Sequence, residues 1–158
     1  MNPPIIYVCG PHGSGNRLNG RIVQAGDRAW VVRVFSLPGR FKHPPGDLNI
    51  ISVRDREMTA QSMLKEGMVR TIEHARQWVD EARGQIVDWK AQHPDAVFRD
   101  VVYEETLSMG YAPLIARIAN ALDAPKWTYD EPIVDGNAKY KTGDFESIPF
   151  SDARAKPQ

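Results

Sequence analysis

Ile5-Ile6-Tyr7-Val8-Cys9-Gly10-Pro11-His12-Gly13-Ser14-Gly15-Asn16-Arg17-Leu18 is the stretch on which the fold of this chain turns. Ile5–Cys9 is short, mostly apolar and strand-like, and it runs into a glycine-rich turn. A helix is predicted directly afterwards, over Asn16–Ala25. A strand feeding such a turn brings backbone N–H groups and a helix N-terminus to one point in space. That arrangement binds anions, and phosphate is its usual occupant. The turn lacks the lysine–serine/threonine pair that ends an ATP-type phosphate loop, which counts against an ordinary kinase or ATPase.

Working outward, further short apolar runs at Ala29–Phe35, Leu48–Val53 and Val97–Val102 read as strands buried on both faces. Helical patterns lie between them. One is predicted over Arg56–Lys65 and a longer one over Met68–Gln92, where Ile72, Ala75, Val79, Ala82, Ile86 and Trp89 recur at steps of three or four and make one buried stripe. Gly84 is a place for that helix to bend or split. A last helix is predicted from Tyr111 or Ala112 to Leu122, with Pro113 in the first turn, where its missing N–H matters little. Strands alternating with helices imply an α/β fold, three layers with a mostly parallel sheet in the middle. Ligands of such sheets bind beyond the C-terminal strand ends, where the Gly10–Gly15 turn and Arg54 both fall. Leu37–Asp47, rich in Pro, Gly and basic residues, reads as a loop. A single domain over residues 1–150 and a polar, frayed tail over 151–158 complete the expected organisation.

Composition narrows the field. A chain of 158 residues suits one core, and 42% apolar residues is ordinary for a globular protein. Lysine plus arginine equals aspartate plus glutamate at 20 each, so nothing calls for a nucleic-acid partner. Local positive charge can still hold a small anion. The single cysteine, Cys9, rules out an intramolecular disulfide and a cysteine-based zinc site, and it reads as a buried strand thiol. No signal-peptide pattern and no apolar run of membrane-spanning length is visible, so a soluble, cytoplasmic protein is expected.

Four local features then fall in chain order. They are His12-Gly13-Ser14-Gly15-Asn16-Arg17; Ser36-Leu37-Pro38 after the second strand; Ile50-Ile51-Ser52-Val53-Arg54-Asp55 with Ser62 eight residues after Arg54; and Val101-Val102-Tyr103-Glu104 before a helix ending in Ile118-Ala119-Asn120-Ala121-Leu122. This order resembles the sulfotransferases that use 3′-phosphoadenosine 5′-phosphosulfate (PAPS), a P-loop NTPase-like fold, over scattered short motifs from Ile5 to about Phe145. The resemblance implies that Gly13, Ser14, Gly15 and Asn16 hold the 5′-phosphate with backbone N–H groups, helped by the Ser14 hydroxyl and the Arg17 guanidinium. It implies that Arg54 and Ser62 clamp the 3′-phosphate. A basic segment with a Gly-Asp-aromatic step closes the nucleotide site in that family, and Lys139-Tyr140-Lys141-Thr142-Gly143-Asp144-Phe145 looks similar, which assigns Lys139 and Lys141 to the nucleotide. PAPS is then the co-substrate, no metal is needed, and the acceptor is a small molecule or a glycan carrying a hydroxyl or amine.

The chain also departs from that pattern. Gly13 stands where many members carry a cation before the turn serine, so Arg17 or His12 takes over charge neutralisation. Ser36 stands where cytosolic members carry a catalytic histidine, and a serine hydroxyl is far too weakly basic to replace it. His43 is the nearby imidazole and is assigned as base, with Asp47 and Glu104 as carboxylate alternatives. Each residue also has a plainer reading. Ser14 and Gly15 suit any tight strand-to-helix turn, Arg54 with Asp55 suits a surface ion pair, and Ser62, His43, His74, His93, Lys139 and Lys141 suit solvated positions. Trp78, Trp89 and Trp127 read as core or core cover, and Tyr103-Glu104 as packing with a carboxylate at a helix start. Two other functions stay open: a degenerate P-loop nucleotide kinase relative, and a non-catalytic nucleotide-binding module.

Overall fold

The computed structural model describes residues 2–36 and 44–141, with the side chain of Lys141 left aside. Four strands occur there, β1 (Ile5–Cys9), β2 (Val31–Phe35), β3 (Leu48–Val53) and β4 (Phe98–Val102). Six helices accompany them: α1 (Asn16–Gln24), α2 (Arg56–Lys65), α3 (Ile72–Gln92), α4 (Tyr103–Met109), α5 (Ala112–Leu122) and α6 (Ala138–Lys141). The strands form one sheet in the order β2-β1-β3-β4, and every pairing is parallel.

Alternation along the strands sends side chains to two cores. Ile6 and Val8 of β1 and Leu48 and Ile50 of β3 pack with Ile22 and Val23 of α1 and with Leu114, Ile115 and Ile118 of α5. On the opposite face Tyr7, Cys9 and Ile51 lie beneath Ile86 and Trp89 of α3. Helices therefore cover both faces and the fold is a three-layer α/β/α arrangement. Each fully buried aliphatic side chain contributes about 1.5–3 kcal/mol relative to exposure, so these two cores carry the fold. Cys9 is fully buried, and burial pushes its thiol up to about 12.

Burial on both faces holds for β1 and β3 but not for the outer strands. Arg33 and Val34 of β2 and Arg99 and Asp100 of β4 are exposed. A strand with one neighbour keeps an open side, and charges there discourage pairing with other chains. The long helix also starts later than its apolar pattern suggests. Gly67 at φ +74° follows α2, and the Thr71 side chain caps α3 by accepting from the His74 N–H at 3.1 Å. Gly84 neither bends nor splits α3. It lies on the exposed side with open space around it, and the helix runs unbroken over Ile72–Gln92. Ala75, Val79, Ala82, Ile86 and Trp89 form the buried stripe, with Ile72 half-buried at its start. Trp78 is exposed rather than core, whereas Trp127 donates to the Ile22 carbonyl at 3.0 Å and meets Trp30 edge-on. Tyr103-Glu104 opens α4 directly at the end of β4, with Glu104 and Glu105 in its first turn, where acidic groups suit the helix dipole. Among the described residues no helix is long and apolar enough to cross a membrane.

Candidate functional site at the β1 and β3 strand ends

Strand order explains why distant residues meet here. The chain leaves β1 towards β2 on one side, while β3 lies on the other side of β1, so the sheet changes winding direction between β1 and β3. In open parallel sheets the crevice for ligands lies beyond the C-terminal ends at that point. Cys9 is paired with Ile51, so the turn after β1 and Arg54 after β3 emerge side by side.

The turn is held close to β3. A Cβ at Gly10 would sit 2.4 Å from the Ser52 carbonyl oxygen, so only glycine permits the approach. Gly13 and Gly15 occupy the left-handed region at φ +83° and +101°, where other residues are strained. Asn16 donates to the Gly10 carbonyl at 3.0 Å, and Asn19 donates to Ser52 Oγ at 2.9 Å. Ser14 is turned inward. Its N–H and its hydroxyl both donate to the Pro11 carbonyl, and it is 1% exposed, so its hydroxyl braces the turn instead of facing outward.

Gly15 caps α1 without a side chain, and the first turn of the helix contains no acidic residue. The leading N–H groups of a helix have no intrahelical partner, so Asn16, Arg17 and Leu18 begin α1 with donors to offer. Arg17 is exposed beside them and makes no hydrogen bond or ion pair among the described residues. A cleft of ≈ 440 Å³ opens at this point, bordered by Asn16, Arg17, Arg54, Ser62, Tyr103 and Lys139 among others. Its local charge is positive although the chain as a whole is neutral.

Arg54 is 8% exposed and knots the site together. Nη1 donates to the Gly13 carbonyl at 2.7 Å, Nε to Asn137 Oδ1 at 2.7 Å, and Nη2 to the Gly136 carbonyl at 3.0 Å. Its guanidinium lies 4.8 Å from the centre of the Tyr103 ring. A guanidinium has two N–H groups on each terminal nitrogen, so one on each remains beyond these bonds. The surface ion pair with Asp55 is not what forms. Asp55 instead caps α2, accepting from the Glu57 and Met58 N–H groups at 2.9 and 3.0 Å. Ser62 is buried one side of the cleft, and its Oγ lies 3.2 Å from where a Cβ on Gly13 would be. The Arg54-to-Ser62 spacing thus returns to the turn through the second turn of α2.

Neither carboxylate considered as a base stands ready for a ligand's proton. Asp47 precedes β3 at the opposite end of the sheet, where it accepts from the Ile5 N–H at 2.7 Å. Glu104 accepts from the Asp55 N–H at 2.8 Å and from Asn137 Nδ2 at 2.7 Å. His43 lies outside the described residues, as do Gly143, Asp144 and Phe145. Lys139 borders the cleft with its ammonium 5.1 Å from the Tyr140 ring. His12 borders the cleft too, and its Nε2 is 2.7 Å from Glu66 Oε2.

Sequence reasoning missed Gly136, Asn137 and Glu66. Asn137 is 83 residues from Arg54 and 1% exposed, and no motif marks an asparagine that arrives from so far along the chain. Glu66 lies just past α2, one helical turn beyond Ser62, which is the signal that could have found it. Among the described residues no group of three or more metal-ligating side chains comes together. No protein-family model matches the chain, and neither a curated protein nor a solved structure matches it.

Proposed function

We propose that this protein is a sulfotransferase-like enzyme that moves a sulfuryl group from PAPS to a hydroxyl or amine acceptor on a P-loop-like scaffold. The supporting observation is the meeting of an uncapped, acid-free α1 N-terminus with Arg17, Arg54 and Ser62 at one cleft on the sheet's switch point. Backbone N–H groups at the start of α1 and the Arg17 guanidinium would take the 5′-phosphate end, where charge grows as the S–O bond breaks. Fixed donors aimed at developing charge are the largest single source of such catalysis. Arg54 and Ser62 would receive the 3′-phosphate. Arg54 does so with its remaining terminal N–H groups, or after exchanging the Gly136 and Asn137 oxygens for phosphate oxygens. Lys139 and Lys141 are assigned to the nucleotide side and His43 to the acceptor side. The setting is a soluble, cytoplasmic protein with no metal requirement.

Calorimetric titration with adenosine 3′,5′-bisphosphate, compared with ATP–Mg²⁺, tests this reading, followed by transfer from PAPS. The bisphosphate is expected to bind more tightly. Stronger ATP–Mg²⁺ binding would overturn the proposal in favour of a kinase relative, against which Asn16 and Arg17 now stand, because they occupy the two places after Gly15 where that loop carries lysine and serine or threonine. A non-catalytic module is the second reading. Ser36, at the cleft where an imidazole would serve as base, favours it. Bisphosphate binding without any transfer would establish it.

A further inference from the structure

Arg54 is joined to the backbone of its own neighbour by a circuit of hydrogen bonds. Arg54 Nε donates to Asn137 Oδ1 at 2.7 Å, Asn137 Nδ2 donates to Glu104 Oε2 at 2.7 Å, and Glu104 Oε1 accepts from the Asp55 N–H at 2.8 Å. Both ends of the circuit, Arg54 Nε and the Asp55 N–H, are donors. Two side chains that bridge a donor to a donor must be one carboxylate, which only accepts, and one amide, which accepts at one end and donates at the other. Two orders satisfy that rule equally well. In one the carboxylate meets the backbone and the amide meets the guanidinium; in the other the places are exchanged. This chain has the first. Asn137 is almost fully buried, and its own N–H is held by Asp135 Oδ1 at 2.9 Å.

The order found here is the less favourable one for a buried cation. A carboxylate placed on Arg54 would pair charge with charge, and buried charges are ordinarily paired. Every oxygen that Arg54 meets is instead neutral: the Gly13 and Gly136 carbonyls and the Asn137 amide. Arg54 makes no ion pair among the described residues. The negative charge stays on Glu104 in the first turn of α4, where the helix dipole favours it. Resting on the reading above that the cleft takes a phosphate ligand, we infer that Asn137 is an insulating positioning residue for Arg54. With Glu104 behind it, Asn137 fixes the guanidinium in place and keeps the carboxylate off it. The positive charge, with one N–H on each terminal nitrogen, is thereby left for a phosphate. Neither Asn137 nor Glu104 has to touch the ligand to set the strength of the site.

Exchanging the two places on the full chain tests this. Glu104→Gln together with Asn137→Asp puts the carboxylate on Arg54, keeps every hydrogen bond of the circuit and leaves the net charge unchanged. Thermal unfolding reads the circuit, and calorimetric titration with adenosine 3′,5′-bisphosphate reads the charge. Glu104→Gln alone sets two donors against each other whichever way the amides turn, and should lower Tm by about 5 °C or more. Adding Asn137→Asp to it should bring Tm back to within about 2 °C of wild type. The bisphosphate affinity of the double variant should nonetheless fall by about tenfold or more, because a carboxylate now occupies the guanidinium that the phosphate would use. Recovery of affinity together with Tm would mean that the pair serves the fold alone, and would overturn the insulating role. Glu104→Gln at the wild-type Tm, or a further fall in Tm on adding Asn137→Asp, would overturn the circuit and the role with it. Failure of the sulfotransferase-like reading shows separately, as wild-type protein that does not bind the bisphosphate. Inorganic phosphate is then the probe, followed by the rise in Tm that it causes. A larger rise in wild type than in the double variant would support an insulated Arg54 at an anion site of another kind. An equal rise, or none, would overturn it.

Discussion

β1–α1 and β3–α2 are two strand–turn–helix junctions at the same edge of the same sheet, and they are finished in opposite ways. At α2 the cap is Asp55, whose carboxylate accepts from two backbone N–H groups, and Glu57 adds a negative charge to the first turn. At α1 the cap is Gly15, no side chain accepts, and Arg17 stands where α2 has Glu57. An acid at a helix start is worth a few tenths to 1 kcal/mol, and a capping side chain typically about 1 kcal/mol. α2 has taken both contributions from its own sequence. α1 has forgone both, and a cation was placed beside donors that already favour negative charge. A junction built only for stability would look like α2. The one at α1 has backbone donors and a cation left over, which the proposed function gives to a phosphate.

The largest effect expected from breaking this pairing lies at Arg54, which ties the two junctions together. Arg54→Ala leaves the Gly13 and Gly136 carbonyls and Asn137 Oδ1 without their donor. A loss of about 3 kcal/mol in urea unfolding is expected, in line with losing a buried charged hydrogen-bond partner. Arg17→Glu copies the α2 arrangement onto α1. Bisphosphate affinity should fall by about tenfold or more in calorimetry as a charge-assisted contact becomes a repulsion, while stability holds or rises by about 0.5 kcal/mol through the helix dipole. A fall in both would mean that Arg17 serves the fold and not a ligand. Asp55→Ala makes the converse change, lowering stability by about 1 kcal/mol and leaving anion affinity unchanged. The smallest effect concerns the exposed Arg56–Asp80 pair, 2.7 Å apart, which joins α2 to α3. The hydrogen bond from Arg56 holds the Asp80 carboxyl below the ordinary carboxylate range. Its contribution is therefore present above that range and fades as pH falls through the lowered value. Asp80→Asn should lower Tm slightly at neutral pH and not at all at high salt, checked by thermal scans at two ionic strengths.

Much of this architecture was legible in the residues. β1, β3 and α2 have the ends that apolar runs and flanking turn residues suggest, and α5 carries Pro113 in its first turn as expected. The legible features are those written locally, in periodicity and in glycine. The convergence of the Gly10–Gly15 turn with Arg54 was legible too, because parallel pairing of β1 with β3 brings their ends together whatever the loops do. What could not be read depends on chain return. Nothing near Asn137 announces that it comes back to Arg54, and nothing near Glu104 announces that both of its oxygens are engaged by Asp55 and Asn137. The exposed faces of β2 and β4 were misread because a short apolar run does not distinguish a central strand from an edge. His12 was legible as an imidazole near the turn. Its pairing with Glu66 was not, since it rests on how α2 lies across the turn.

Cys9 carries a practical consequence. It ends β1, one of the two inner strands, directly before the turn, has no solvent contact, and holds its proton more firmly than an ordinary thiol. Alkylating reagents act on the thiolate, so they reach this sulfur only through an opening of the sheet itself. The protein thereby contains its own reporter. The pace at which a maleimide or iodoacetamide labels the chain measures how often β1 comes apart, and slower labelling in the presence of a nucleotide would register occupancy of the neighbouring turn without any engineered probe.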